Sequence, residues 1–160
     1  MLKINVLCVG KLKEKFYLSA CEEYLKRIGA YASISVGEIP EIPMTDTASR
    51  AQIEQSLARE AEQVLKKIPK GAYVIPLCIE GELMSSEQLA KKLGEIQVQG
   101  SSCICFLIGG SNGLSEEVKR QGGLRLSMSK MTFPHHLARV MLLEQIYRAF
   151  QILNGGNYHK

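Results

Sequence analysis

The chain ends in Tyr158-His159-Lys160, an aromatic ring, a titratable imidazole and a cation behind the double glycine Gly155-Gly156. Such a tail could close over a planar base, Tyr158 stacking and His159 moving a proton. The plainer reading is a frayed terminus. Upstream, Glu144 and Arg148 are spaced i,i+4, which on a helix surface makes an ion pair of little value. Gly109-Gly110-Ser111-Asn112-Gly113 would let a ligand approach the backbone closely. It is neither a P-loop nor the dinucleotide glycine fingerprint, and a tight strand-to-helix turn competes with the ligand reading. The segment Ser127–Pro134 mixes Met128, Met131 and Phe133 with small polar residues. It could clasp an adenosine through main-chain groups, with methionine and phenylalanine walls against the ring, or act as a simple connector.

Metal chemistry finds no ligand set. His135 and His136 are adjacent, so on a helix they point about 100° apart and make no two-histidine face. The cysteines at 8, 21, 78, 103 and 105 are odd in number and scattered. Cys103 and Cys105 share a strand face but lack a second pair or a nearby histidine, so buried thiols are expected.

The elements that must position these groups alternate. Lys3–Val9 reads as a strand ended by Gly10, and a helical stripe from Tyr17 to Ile28 follows, closed by Gly29. Ser33–Ile39 is a second strand, and Pro40 and Pro43 mark a loop. Ile53, Leu57, Ala61, Val64, Leu65 and Ile68 form one face of a long helix stopped by Pro69. Ala72–Ile79 is a third strand, in which Pro76 removes a ladder donor and suggests an edge position or a strand end. Ser85 with Gln88 resembles a capping box for a helix along Leu89, Leu93 and Ile96. Ser102–Ile108 is the most continuous apolar strand, of the kind covered on both faces. Ser115 starts a short helix, Leu124–Met128 is a fifth strand, and His135–Leu153 is a long amphipathic helix.

This alternation predicts an α/β fold with a mainly parallel sheet and helices on both faces. In such folds ligands sit beyond the carboxyl ends of the strands. Leu77–Gly81, Gly109–Gly113 and Met128–Pro134 leave strand ends, and they should converge on one site.

At 160 residues the chain suits one domain, residues 1–160, with a substantial core. Hydrophobic residues make up 46% and charged residues 22%, as in ordinary globular proteins. No apolar run is long enough to cross a bilayer, and no secretion signal is evident, so a cytoplasmic protein without a membrane partner is expected. The net charge of +4 is unevenly placed. Residues 118–160 carry seven Lys/Arg against one acid, whereas residues 38–117 carry seven against twelve. A basic C-terminal quarter suits an anionic partner, or is a solvated face with none.

Taken together, several motifs resemble one family across the whole chain. They are Val9–Lys15, Leu77 before Gly81, Ile108–Leu114, Leu126 through His135, Glu144–Phe150 and Tyr158-His159-Lys160. The chain resembles the ribosomal RNA large subunit methyltransferase H family, minimal members of the SPOUT superfamily. That resemblance implies a deep C-terminal trefoil knot and a homodimer. It also implies S-adenosyl-L-methionine as cofactor and methylation at N3 of a pseudouridine in 23S ribosomal RNA of the assembled ribosome. It places cofactor contacts at Leu77, Gly109, Met128, Ser129, Lys130, Met131, Thr132 and Phe133. It places catalytic and RNA-facing roles at Arg148, Tyr158 and His159, with no metal. Pro76 departs from the family's usual polar residue before Leu77.

Uracil-type N3 is a poor nucleophile until its proton leaves. His159 is the candidate acceptor, with Arg148 favouring the anion; water could instead take the proton from an anion held by Arg148. Lys11, Lys13, Lys15, Lys119, Arg120 and Arg125 are candidate phosphate contacts. Two other classes compete: a non-catalytic RNA-binding ribosome-assembly module, and a dinucleotide oxidoreductase, against which the missing glycine fingerprint argues.

Overall fold

A computed structural model describes residues 1–160. Five strands alternate with five helices: β1 (Lys3–Val9), α1 (Lys15–Ile28), β2 (Ser33–Ile39), α2 (Arg50–Lys67) and β3 (Tyr73–Leu83). Then come α3 (Ser86–Val98), β4 (Cys103–Ile108), α4 (Glu116–Lys119), β5 (Leu126–Ser127) and α5 (His135–Leu153). The strands form one sheet in the order β2-β1-β4-β3-β5, and every pairing between them is parallel.

Strand alternation sorts the core into two layers. Ile4, Val6 and Cys8 of β1 and Ile104, Phe106 and Ile108 of β4 face the larger one. Cys21 and Ile28 of α1, Leu89 and Leu93 of α3, and Leu142, Leu143 and Ile146 of α5 cover them. The opposite residues, Leu7, Val9, Cys105 and Leu107, meet Ala61 and Val64 of α2 and Val118 of α4. Burial on both faces explains why β4 is apolar at nearly every position. All five cysteines are free thiols. Burial pushes the Cys8 and Cys105 thiols up to about 12, so they act as small apolar groups.

The capping box at Ser85 and Gln88 is formed, and Ser49 with Gln52 makes a second one that starts α2 three residues before Ile53. Two strands differ from the pattern expected. Leu124–Met128 pairs only over Leu126–Ser127. The third strand continues past Ile79 to Leu83, with a register shift between Leu77 and Glu82. Pro76 is not on an edge strand, because β3 lies between β4 and β5. It is the last residue in register with β4, opposite Leu107, and pairing with β5 begins at Leu77. The missing N–H therefore falls where the strand changes partners, and costs the ladder little.

One polar tie crosses the larger core layer. Arg139 of α5 is only 3% exposed. Its Nη1 donates to Glu38 Oε2 at 2.8 Å and its Nη2 to the Gly10 carbonyl at 3.2 Å, while its Nε has no hydrogen-bond partner. The same Glu38 oxygen accepts from the Leu12 amide at 2.9 Å. Partial burial pushes the Glu38 carboxyl up, but the Leu12 amide and the Arg139 guanidinium outweigh it and hold the group below its ordinary 4.5.

Removing the carboxylate would leave a buried guanidinium uncompensated. Glu38→Ala should destabilise the protein by about 2 kcal/mol, less than for a fully buried pair because Glu38 stays partly wet. The sign of the pH effect follows from the lowered value. The stabilisation is complete above pH 4.5 and fades as pH falls through the lower folded value. Melting curves from pH 6 downward should show the Glu38→Gln protein starting lower and losing less with acid than the wild type.

Candidate functional site

At the carboxyl ends of the central strands lies a cavity of about 780 Å³. Its walls are Leu77–Glu80 of β3, the Gly109–Gly113 turn after β4, and Met128, Ser129 and Met131–Pro134 after β5. His135 and Ala138 of α5, with Leu114 and Lys119 on the α4 side, close it. The three segments expected to converge therefore meet, although the first is the irregular part of β3 rather than a loop.

Much of this wall is main chain held by glycine. A Cβ on Gly109 would lie 2.4 Å from the Gly113 carbonyl carbon, and Gly113 itself has φ +74. Gly81 is as tightly confined, 2.8 Å from the Arg125 carbonyl oxygen. These contacts draw the ends of β3 and β5 together and fold the turn after β4 onto itself. The post-β5 segment is shaped by two short bonds. Ser127 Oγ donates to the Ser129 carbonyl at 3.0 Å, and the Met131 amide donates to Ser129 Oγ at 3.0 Å.

A carboxylate braces the glycine turn from outside. Glu41, in the loop after β2, accepts the Ser111 amide on Oε1 at 2.8 Å. Its Oε2 lies 4.0 Å from His135 Nε2. Desolvation holds His135 below its ordinary value, so at neutral pH the ring is uncharged and Glu41 is left to the amide. Across the cavity Lys119 pairs with Glu80, and this bond holds the Glu80 carboxyl below its usual range.

Of the residues expected to hold a cofactor, Leu77, Gly109, Met128, Ser129, Met131, Thr132 and Phe133 line this cavity. Lys130 is not among the lining residues and is exposed. Arg148, Tyr158 and His159 also lie apart from it. They gather beside a second cavity of about 470 Å³, which includes Tyr24, Ser86, Glu144 and Gln145 in its walls and shares Met128 with the first. The Glu144–Arg148 pair is more than a surface i,i+4 contact, since both side chains are largely buried. Arg148 Nη1 lies 3.0 Å from His159 Nδ1, and the Tyr158 hydroxyl donates to Glu144 at 3.1 Å. The Tyr158 ring stands edge-on to Tyr147 and carries the Arg148 guanidinium 4.7 Å from its centroid. Burial and bonding to Tyr24 and Glu144 push the Tyr158 hydroxyl up to about 12, so it stays a donor at neutral pH.

Among the candidate phosphate contacts, Lys11, Lys13 and Lys15 are exposed. Lys119 and Arg125 are instead paired with Glu80 and Glu116. Glu41 and Glu87, which touches His159, escaped sequence reasoning. Both partners lie about seventy residues away, and the only local sign was two prolines flanking Glu41. No cluster of metal-binding side chains occurs.

The family model for predicted SPOUT methyltransferases matches residues 2–159. In three dimensions the chain is similar to a probable methylase family protein from Haemophilus influenzae Rd KW20, at 14% identity and a TM-score of 0.54. That match covers 98% of this chain and 70% of the other. It is also similar to Lpg2936 of Legionella pneumophila, a candidate methyltransferase solved in complex with the bound cofactor SAM. Here identity is 11% and the TM-score 0.52, over 92% of this chain and 66% of the other. At these identities the two structures establish the fold alone.

The glycine contacts give a graded expectation. Gly109→Ala must displace backbone, so it should cost about 2 kcal/mol in a denaturation experiment, within the range for overpacking. Gly110→Ala meets the Glu41 carboxylate, which can swing away, so it should cost less than half as much.

Proposed function

The chain belongs to the SPOUT methyltransferase family, and from that premise we propose that it methylates N3 of a pseudouridine in 23S ribosomal RNA. The methyl donor in this reading is S-adenosyl-L-methionine, and the protein acts in the cytoplasm as a homodimer on the assembled ribosome. Residues 1–160 work as one domain with a C-terminal trefoil knot. No helix is long and apolar enough to cross a membrane.

The observation that carries the reading is the convergence of three backbone-rich segments on one cavity. Its volume of about 780 Å³ falls in the range of small-molecule sites. Its chemistry fits the donor. Main chain at 109–113, 128–129 and 131–133 offers hydrogen bonds to an adenosine, and Met128, Met131 and Phe133 offer apolar surface to a flat ring. When bound, the cofactor supplies an electrophilic methyl group on a sulfonium.

The second cavity then faces the acceptor, because it meets the first at Met128. The chain's contribution there is to place the base and to handle its N3 proton. His159 accepts that proton on Nδ1. Arg148, beside it, favours the anion left on the ring. Tyr158 stays protonated and holds Glu144, which in turn fixes the Arg148 fork. The basic surface for RNA is supplied by the exposed Lys11, Lys13 and Lys15.

Naked 23S RNA, isolated large subunits and whole ribosomes, each incubated with labelled donor and mapped for the modified base, provide the main test. Label at a single pseudouridine N3 is expected. Label elsewhere would overturn the substrate, and no heat on titration with millimolar donor would favour a non-catalytic RNA-binding module. Sedimentation at micromolar protein should give twice the 17.7 kDa chain mass.

Glu41→Ala should weaken donor binding about tenfold by calorimetry, because the Ser111 amide loses its brace. Glu41→Gln keeps an acceptor oxygen and should bind nearly as the wild type does.

A further inference from the structure

A closed circuit of hydrogen bonds surrounds the C-terminal tail. Ser86 Oγ donates to Gln145 Oε1 at 2.7 Å, and Gln145 Nε2 donates to Glu144 Oε2 at 2.9 Å. Arg148 Nε donates to Glu144 Oε1 at 2.9 Å, and Arg148 Nη1 reaches His159 Nδ1 at 3.0 Å. His159 Nε2 then lies 2.6 Å from Glu87 Oε1, and Glu87 follows Ser86 in the first turn of α3. The hydrogen bond from His159 holds the Glu87 carboxyl below its usual range.

Only one protonation state of the ring satisfies both neighbours. A guanidinium has donors and no acceptor, so Nδ1 must present its lone pair to Arg148. The proton must then sit on Nε2, where the carboxylate accepts it. The other neutral tautomer would set N–H against N–H on one side and lone pair against carboxylate on the other. An imidazolium would keep the Glu87 bond but point a second donor at Arg148.

Resting on the proposed reaction, we infer that Glu87 is a positioning residue that locks His159 with its proton on Nε2 and makes Nδ1 the proton-accepting nitrogen. A carboxylate on one ring nitrogen fixes the tautomer and orientation in which the other can act as a base. Here Nδ1 shares one spot with the Arg148 fork. A uracil-type imide entering there draws the Arg148 N–H from Nδ1 onto its own carbonyl oxygen and frees the lone pair: its N3–H bond breaks, the proton passes to Nδ1, and the electron pair stays on the ring beside the guanidinium. The resulting imidazolium keeps its Nε2–H on Glu87, whose charge stabilises it. The other titratable and charged groups around the ring are Arg148 and Glu144 on α5, the Tyr158 and Tyr24 hydroxyls, and Lys160 next in the chain. Glu87 is thus the one acid in direct contact with the imidazole.

The test pairs nitrogen-15 spectra of the histidine side chains with methyl-transfer kinetics in wild type, Glu87→Ala and Glu87→Gln, His159→Gln assigning the signal. The wild type should show His159 as the Nε2-protonated tautomer, and Glu87→Ala a mixture, because a ring without its carboxylate anchor is free to turn away from Arg148. Glu87→Gln keeps an acceptor oxygen and should restore the tautomer. In Glu87→Ala, kcat should fall about tenfold with the KM for S-adenosylmethionine unchanged. Loss of the negative charge makes the imidazolium harder to form, so in both variants the acid limb of the kcat profile should move to lower pH. An unchanged His159 spectrum in Glu87→Ala, or an unmoved limb, overturns the inference. A wild type that methylates no RNA yet shows the tautomer switch would overturn the proposed reaction while upholding the Glu87 contact.

Discussion

A guanidinium buried in a parallel α/β core must be answered by acceptors, and Arg139 takes them from two separate strand ends. Gly10 terminates β1 and Glu38 lies near the end of β2, so one side chain fixes α5 against both. Because Glu38 also holds the Leu12 amide, the turn leading toward α1 is drawn into the same knot of bonds. The first turn of α5 lies one helical turn before Arg139, and the post-β5 segment runs directly into it. The position of the cavity's outer wall, from Met128 to His135, therefore follows from where this ion pair sets the helix. Such a pair adds little net stability over apolar packing. What it supplies is a fixed register between a helix and the sheet edge.

The two cavities divide the chemistry by the kind of atom that builds them. The larger is walled mainly by main chain around glycines and by apolar side chains. The smaller is lined by apolar side chains together with Tyr24, Ser86, Glu144 and Gln145, and through Glu144 it adjoins the bonded group of Arg148, Tyr158 and His159. The cavities touch at Met128, an unbranched side chain suited to an uneven boundary. Main-chain walls tolerate little sequence drift because a Cβ at Gly109 or Gly81 has no room. The bonded group instead depends on the tail, α3 and α5 keeping mutual bonds, so disturbing one member loosens the rest.

Most of the frame was legible locally. Pro134 and Gly155 bracket α5, Ser85 with Gln88 announces α3, and the apolar run at 103–108 marks the central strand. These signals act over three or four residues, which is the range of capping and helical periodicity. The three strand-end segments were legible for the same reason. The partners that hold them were not. Glu41 meets Ser111 and Glu38 meets Arg139 across long stretches of chain, and nothing about an isolated glutamate in a loop or a strand end reveals which amide or guanidinium it will find. Pro76 misled in part because a proline is tolerated inside a sheet where one neighbour's ladder stops and another's starts. The C-terminal tail could be read from sequence either as frayed or as closing over a base, and its bonds to α5 and α3 show it held in place.

The strand order has a consequence for how the chain emerges during synthesis. β1 can pair with β2 early, but its other edge waits for β4, whose Cys103 stands opposite Lys3. Until then an apolar strand offers unpaired amides and carbonyls to any neighbour, a known route to aggregation. Closure of so many distant pairings makes folding slow on the scale of small domains. That edge of β1 is covered only once the chain has been made through residue 108, where its pairing with β4 ends.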